Sequence, residues 1–305
     1  MRLSLSAWTL TGGLAWLLGV ASPADSPGRL SGRVFEDANT NGVFDAGEPG
    51  LAGVRVSDGQ SVVATDAEGR YEIPARSNPP PRFVFVSKPA GHRCINGFYR
   101  RLTNGCPTSA DFALAPDPEA QATFAFLQIG DSETAETKAL FIEEIQAALA
   151  RRPIRFVLHT GDFCHRRGIK AHSEWLPRQG PPVYHVAGNH DYIATKEPYK
   201  SWEDYDPTLE RSEEYFERFL GPTHYSFEHG NALFIVLSGR GDGTPSPEMP
   251  DLQLAWLQNE LAQVPADKPL IVFQHIPPAP MTLDLVVRNT RGEAINLSNR
   301  ALRAL

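Results

Sequence analysis

The sequence predicts two folded units in series, a small all-β sandwich and then an α/β domain. Two observations carry this. Over roughly residues 29–115, short alternating segments are separated by Gly, Asp, Asn and Pro turns. From residue 123 onward, apolar strands alternate with amphipathic helices. A chain of 305 residues is long enough for both units, each able to bury its own core. Hydrophobic residues make up 41% and charged residues 21%, the balance of an ordinary globular protein. The formal net charge of −7 argues against a general nucleic-acid binder, and no Lys/Arg cluster flanks the motifs below.

Residues 1–21 read as a cleaved signal peptide, with an uncleaved N-terminal anchor as the rival reading. Arg2 supplies the positive start, residues 8–20 (WTLTGGLAWLLGV) form a short apolar run, and Gly19 and Ala21 stand as at a cleavage site. The run is too short, and too interrupted by Gly and Thr, for a membrane span. The expectation is a secreted or periplasmic protein with no membrane span in its mature chain. In an oxidising compartment Cys94 and Cys106 could pair or remain thiols, and Cys164 has no obvious partner.

In the first unit RLSGRVFED, GVRVSD, SVVATD, RYEIPA and RFVFVSK read as strands. Residues 115–122, APDPEAQA, read as a linker because their prolines and acids break both periods. Residues 37–48, DANTNGVFDAGE, fit the calcium-loop spacing. Asp37, Asn39 and Asn41 offer side-chain oxygens and Val43 a backbone carbonyl. Asp45 takes the water-mediated position, Glu48 can bind through both oxygens, and Gly42 permits the sharp turn. A polar Asn/Gly loop without metal is the bland alternative. The stretch from Gly32 to Gly59, with ATDAEGRYEI behind it, resembles the calcium-binding B-type repeats of bacterial surface adhesins. It also resembles the domain that precedes some bacterial metallophosphoesterases.

In the second unit FAFLQIG precedes a helix whose Phe141, Ile145 and Leu149 share a face. RFVLHTG, VYHVAG, ALFIVLSG and PLIVFQHI read as further buried strands, and Leu254, Leu257, Leu261 and Val264 make another helical stripe. The chemistry gathers just past the strands. FLQIG leads into Asp131, RFVLHTG into Asp162, VYHVAG into Asn189, His190 and Asp191, and PLIVFQ into His275. In open α/β sheets the carboxyl ends of strands converge on one crevice. Two carboxylates, an amide and an imidazole collected there suit a pair of cations that hold a phosphate and activate water.

The motifs GDFCHRRG, GNHD, HYSFEHGNALFIVLSG and QHIPP stand in the order of the calcineurin-like metallophosphoesterases, which most of residues 123–280 resembles. The resemblance implies a metallophosphoesterase-type α/β sandwich over 123–305. It implies two divalent ions (Mn, Fe or Zn), with Asp162 bridging, Asp131 on the first, and Asn189 and His275 on the second. It makes His190 the group that protonates the leaving oxygen, oriented by Asp191, and it implies a phosphate mono- or diester as substrate. His165 is an open candidate. Two departures stand out. The family's D-x-H is here Asp131-Ser132-Glu133, so Glu133 either replaces the imidazole or points away. No G-H-x-H follows His275, and the chain stops at Leu305 within a helical pattern. The domain is therefore expected to lack its last motif, as a fragment or truncated chain.

An alternative function is a binding or adhesion protein whose phosphoesterase-like site no longer turns over. Tyr199, Trp202, Tyr205, Tyr215 and Phe216 either line a substrate entrance or pack a loop and helix core. His159, His172, His185, His224 and His229 read as structural or surface residues. Oligomeric state does not follow from the sequence.

Overall fold

The structure is a computed structural model that describes residues 29–74, 76, 78–102, 109–118, 123–132, 138–163, 165–188, 191, 212–238 and 250–275. The first unit pairs β1 (Leu30–Glu36), β4 (Arg70–Ile73), β6 (His92–Cys94) and β8 (Phe112–Pro116) in the order β4-β1-β8-β6. Opposite lies β3-β2-β5-β7, made of β2 (Arg55–Ser57), β3 (Val62–Ala64), β5 (Phe83–Val86) and β7 (Tyr99–Arg101). Alternation puts Leu30, Val34, Tyr71, Ile73, Phe112 and Leu114 of one sheet against Val56, Val84 and Val86 of the other. The sequence reading had found β1 to β5 and passed over β6, β7 and β8. Of these, β6 and β7 have too few apolar residues to show a period, and β8 pairs parallel to β1 far back in the chain.

Among the described residues, the second unit contains two three-stranded sheets. The first is all parallel, β11-β10-β9, from β9 (Ala125–Ile129), β10 (Ile154–His159) and β11 (Val183–His185). Helix α1 (Lys138–Arg151) crosses from β9 to β10. Helix α2 (His165–Trp175), with a short 3-10 turn at Leu176–Gln179, crosses from β10 to β11. Ile145, Trp175 and Leu176 pack with Leu127, Ile129 and Val183 on that face. The second sheet, β12-β13-β14, joins a hairpin of β12 (Tyr225–His229) and β13 (Ala232–Leu237) to β14 (Leu270–Gln274), which returns parallel to β13 through α4 (Asp251–Leu261). Helix α3 (Ser212–Leu220) precedes the hairpin.

Between these sheets lies an aromatic layer. Phe126 of β9 and Phe156 of β10 stack at 5.0 Å, and Phe234 of β13 and Phe273 of β14 stack at 6.2 Å. The two pairs meet edge to face, Phe126 to Phe234 at 5.8 Å and Phe126 to Phe273 at 6.0 Å, the geometry that ring quadrupoles favour. Tyr215 and Phe216 of α3 are buried with Phe163 and Ile169, so the core reading holds for those two aromatics. Tyr199, Trp202 and Tyr205 lie outside the described residues.

The two units do not keep separate cores. Strand β5 is buried on both faces: Val84 and Val86 face the sandwich interior, while Phe83 and Phe85 join Tyr184, Tyr225, Phe227 and Trp256. A buried polar cluster seals the junction. Glu260 accepts from Arg55 Nε at 2.8 Å, Ser87 Oγ at 2.9 Å and Ser226 Oγ at 2.6 Å, and Arg55 Nη2 reaches Glu228 at 3.0 Å.

Removing one partner of such a cluster strands a buried charge. Arg55→Met should therefore destabilise the protein by about 3–5 kcal/mol in urea unfolding. Adding Glu260→Gln should recover part of that loss, because the stranded carboxylate is then neutral.

Candidate metal centre

Three strands of two sheets deliver one constellation. Asp131 lies just past β9, Asp162 just past β10 and His275 directly after β14. One ligand atom from each lies within 4.8 Å of the other two, and they are the only such group of acidic, His or Cys side chains among the described residues. His275 Nε2 stands 3.3 Å from Asp162 Oδ2, while its Nδ1 lies 2.8 Å from the Thr160 carbonyl. A carbonyl only accepts, so Nδ1 carries a proton, and it is the Nε2 lone pair that a metal at this site would take. Burial acts to lower the His275 pKa. The hydrogen bond and charge of Asp162, the Thr160 carbonyl and the charge of Asp131 outweigh it, and the pKa rises to about 9. Without a metal, the site thus draws a proton to the place where a cation would sit.

The backbone here is strained. Asp131 (φ 50°) and Asp162 (φ 56°) both occupy the left-handed region. Asp191 shows what holds it. Its Oδ2 accepts from Gly188 N at 2.8 Å and Asp162 N at 3.0 Å, and its Oδ1 from Phe163 N at 2.8 Å. Burial pushes its pKa up to about 7, against the lowering effect of these bonds and with the nearby Asp162 charge adding to the rise. The expected orientation of His190 by Asp191 falls on a residue outside the described ones. Both Asp191 oxygens are engaged by backbone, which makes Asp191 a positioning residue for Asp162. Gly188 is required for the same reason, since a Cβ there would collide with the Asp162 carboxylate and backbone nitrogen.

Behind the ligands runs a proton-ordered chain that the sequence reading missed. Gly161 N–H donates to His159 Nδ1 at 3.2 Å, so His159 Nε2 is the protonated nitrogen and donates to Ser132 Oγ at 2.7 Å. His172 Nδ1 donates to the Gly168 carbonyl at 2.7 Å, leaving its Nε2 to accept from Ser132 Oγ at 2.7 Å. Burial first, then the neighbouring His172, His185 and His275, hold His159 well below the ordinary imidazole pKa. This chain fixes the residue between Asp131 and Glu133. A serine flanked by two acids gives no sequence signal that its partners are histidines from β10 and α2.

Glu133, Asn189 and His190 lie outside the described residues, as does the side chain of His165. Cys94 is a thiol on β6, and Cys106 and Cys164 are also outside the described residues.

The Asp37–Glu48 loop closes on its own donors. Asp37, fully buried, accepts from Asn41 N at 3.2 Å and Gly42 N at 2.7 Å. Asn39 Oδ1 accepts from Asn41 N, and Asn41 Oδ1 from Val43 N, so their oxygens turn inward. Glu48 accepts from Ala38 N and Asp45 N, while Asn39 and Asn41 Nδ2 donate to Asp45. Gly42 takes φ 80°, as the sharp turn needs.

Residues 124–304 match the family model described as Calcineurin-like phosphoesterase, and residues 38–117 match N terminal of Calcineurin-like phosphoesterase. A Rhodopseudomonas palustris protein named "Probable cyclic nucleotide phosphodiesterase" is 30% identical over 146 residues, covering 45% of this chain and 49% of that protein. The human serine/threonine-protein phosphatase CPPED1 is 37% identical over 100 residues, covering 32% of this chain and 28% of that one. The chain thus spans about half the length, or less, of these curated relatives. A purple acid phosphatase from yellow lupin (Lupinus luteus) seeds aligns with a TM-score of 0.32 at 15% identity, over 72% of this chain and 45% of that one, too slight a likeness to carry an argument.

Asp191→Ala should lower manganese affinity about 10–100-fold in calorimetric titration, although it removes no ligand. Asp191→Asn, which keeps acceptor capacity, should lose less.

Proposed function

The chain belongs to the calcineurin-like phosphoesterase family, and on that premise we propose that it is a metal-dependent hydrolase of phosphate mono- or diesters acting outside the cytoplasm. The observation that carries this reading is the convergence of Asp131, Asp162 and His275 within 4.8 Å. The donor set fits: two carboxylates and an imidazole with its Nε2 presented form the mixed oxygen and nitrogen set that Mn, Fe and Zn accept. Asp131, Asp162 and His275 would hold the metal, joined by Asn189 and Glu133 if the family pattern carries over to them. Two bound divalent ions would neutralise phosphate charge and lower the pKa of a water that attacks phosphorus.

The chain's own residues supply the rest. The Thr160 carbonyl keeps the His275 ring in the ligating tautomer. Asp191 and Gly188 fix the Asp162 carboxylate in place. His190, adjacent to the strand-end cluster in sequence, would hold the proton that the leaving oxygen needs, with a pKa range suited to it. One relative bears a phosphodiesterase name and the other a phosphatase name, so both ester classes stay within the proposal. The export reading rests on Arg2 and the apolar run at residues 8–20.

Calcium at the Asp37–Glu48 loop belongs to the same reading, as a stiffener of the first domain. Its support is the inward turn of the Asn39 and Asn41 oxygens and the buried Asp37.

Manganese-loaded protein should hydrolyse p-nitrophenyl phosphate or bis(p-nitrophenyl) phosphate. Asp162→Asn and His190→Ala should each reduce kcat/KM by about a hundredfold or more with the melting temperature kept. Metal-replete protein that turns over neither ester would sink the hydrolase reading in favour of the binding one. Separately, 10 mM calcium should raise stability by about 1.5–3 kcal/mol if the loop binds at the affinity of extracellular modules, and Asp37→Ala should abolish that gain.

A further inference from the structure

The segments that carry Asp131, Asp162 and His275 meet at two residues. Thr160 and Gly161 stand between β10 and Asp162 in the chain, and their carbonyls reach both other segments. The Gly161 carbonyl accepts from Asp131 N at 3.0 Å. The Thr160 carbonyl accepts from His275 Nδ1 at 2.8 Å. One dipeptide thus ties Asp131 on one side and His275 on the other, and the residue that follows it is Asp162.

The dipeptide must itself be anchored. Gly161 cannot do this with a side chain. It takes φ 99°, and a Cβ there would stand 2.6 Å from Gly188 N. The anchor falls to Thr160, which makes two bonds to one acceptor. Its N–H donates to the Ile129 carbonyl at 2.7 Å, and its Oγ1 donates to the same oxygen at 3.0 Å. A carbonyl oxygen has two lone pairs and can satisfy both donors. The backbone bond alone would let the peptide tilt about it. A second donor, on a β-branched side chain that is stiff at χ1, removes that freedom.

Gly130 is shaped to this hydroxyl. A Cβ at Gly130 would collide with Thr160 Oγ1, yet it would lie 3.7 Å from Thr160 Cβ, an ordinary contact. Gly130 does not take a left-handed φ, so it is the hydroxyl and not the backbone that calls for glycine there.

We propose that the Thr160 hydroxyl is a positioning group for the metal centre: by pinning the Thr160–Gly161 dipeptide to the end of β9, it sets Asp131 and His275 at ligating separation. This rests on the metal-dependent reading given under the proposed function, and it extends that reading to a residue that touches neither metal nor substrate.

Manganese titrated calorimetrically into the full chain tests it. Thr160→Val, which keeps the branched shape and loses the donor, should bind manganese at least about tenfold more weakly. Thr160→Ser, which keeps the donor, should restore the affinity. Gly130→Ala, which leaves Thr160 in place and displaces its hydroxyl, should cause the same loss as Thr160→Val. In a Thr160→Ala background Gly130→Ala should cost nothing further, because the group it collides with is gone. Gly130→Ala also keeps the test decisive if Thr160→Val does not fold. A hydroxyl that served packing alone would lower urea stability in these variants and leave manganese affinity unchanged, and that result overturns the proposal. Losses from Gly130→Ala and Thr160→Ala that simply add overturn it too. If the unaltered chain takes up no manganese, the metal reading fails and this inference with it. If the unaltered chain and Thr160→Val take up manganese equally, this inference alone fails.

Discussion

The relative placement of Asp131, Asp162 and His275 depends on the aromatic layer between the two α/β sheets. Asp131 and Asp162 follow β9 and β10 while His275 follows β14, and no backbone hydrogen bond between β14 and the other two strands sets their distance. Phe126, Phe156, Phe234 and Phe273 do that instead, through ring contacts at 5.0–6.2 Å. Each buried ring contributes about 1.5–3 kcal/mol, and each well-set pair about 0.5–1.5 kcal/mol beyond burial. Close-packed interiors do not yield gradually, so this layer resists relative sliding of the strand ends that carry the site.

Holding like charges together creates a second demand. Asp131 and Asp162 face each other on left-handed backbone, a conformation that is costly for a residue with a Cβ. Three backbone donors converging on Asp191, and the absence of a side chain at Gly188, offset that cost beside Asp162. The Ser132, His159 and His172 chain packs behind Asp131 in a single donor order. The site is thus supported by groups that never reach a substrate, and strain at its centre is maintained by satisfied hydrogen bonds around it.

Strand β5 explains why the two units behave as one body. FVFV is an uninterrupted apolar run, the pattern of a strand covered on both faces. One face closes the sandwich and the other completes the core beneath β12 and α4. The linker expected at residues 115–122 is also partly structural. Strand β8 extends to Pro116, and Asp117 pairs with Arg155 at the start of β10.

The sequence by itself determined the positions of β1 to β5 and of β9, β10, β11, β13 and β14, the two fold classes, and the identity of Asp131, Asp162 and His275 as strand-end groups. Those features are local: alternation, apolar runs and turn residues act over a few positions of the chain. Only the tertiary structure decided that Asp191 serves the backbone around Asp162, that Tyr215 and Phe216 belong to a core, and that His159 and His172 share a serine. Each of those facts is a contact between residues far apart in the chain, and hydrogen-bond direction, burial and charge at such a contact depend on how the layers pack. Alternation can say which residues turn inward, but which of them then meet is set by the packing of the aromatic layer and of β5 against its two neighbours.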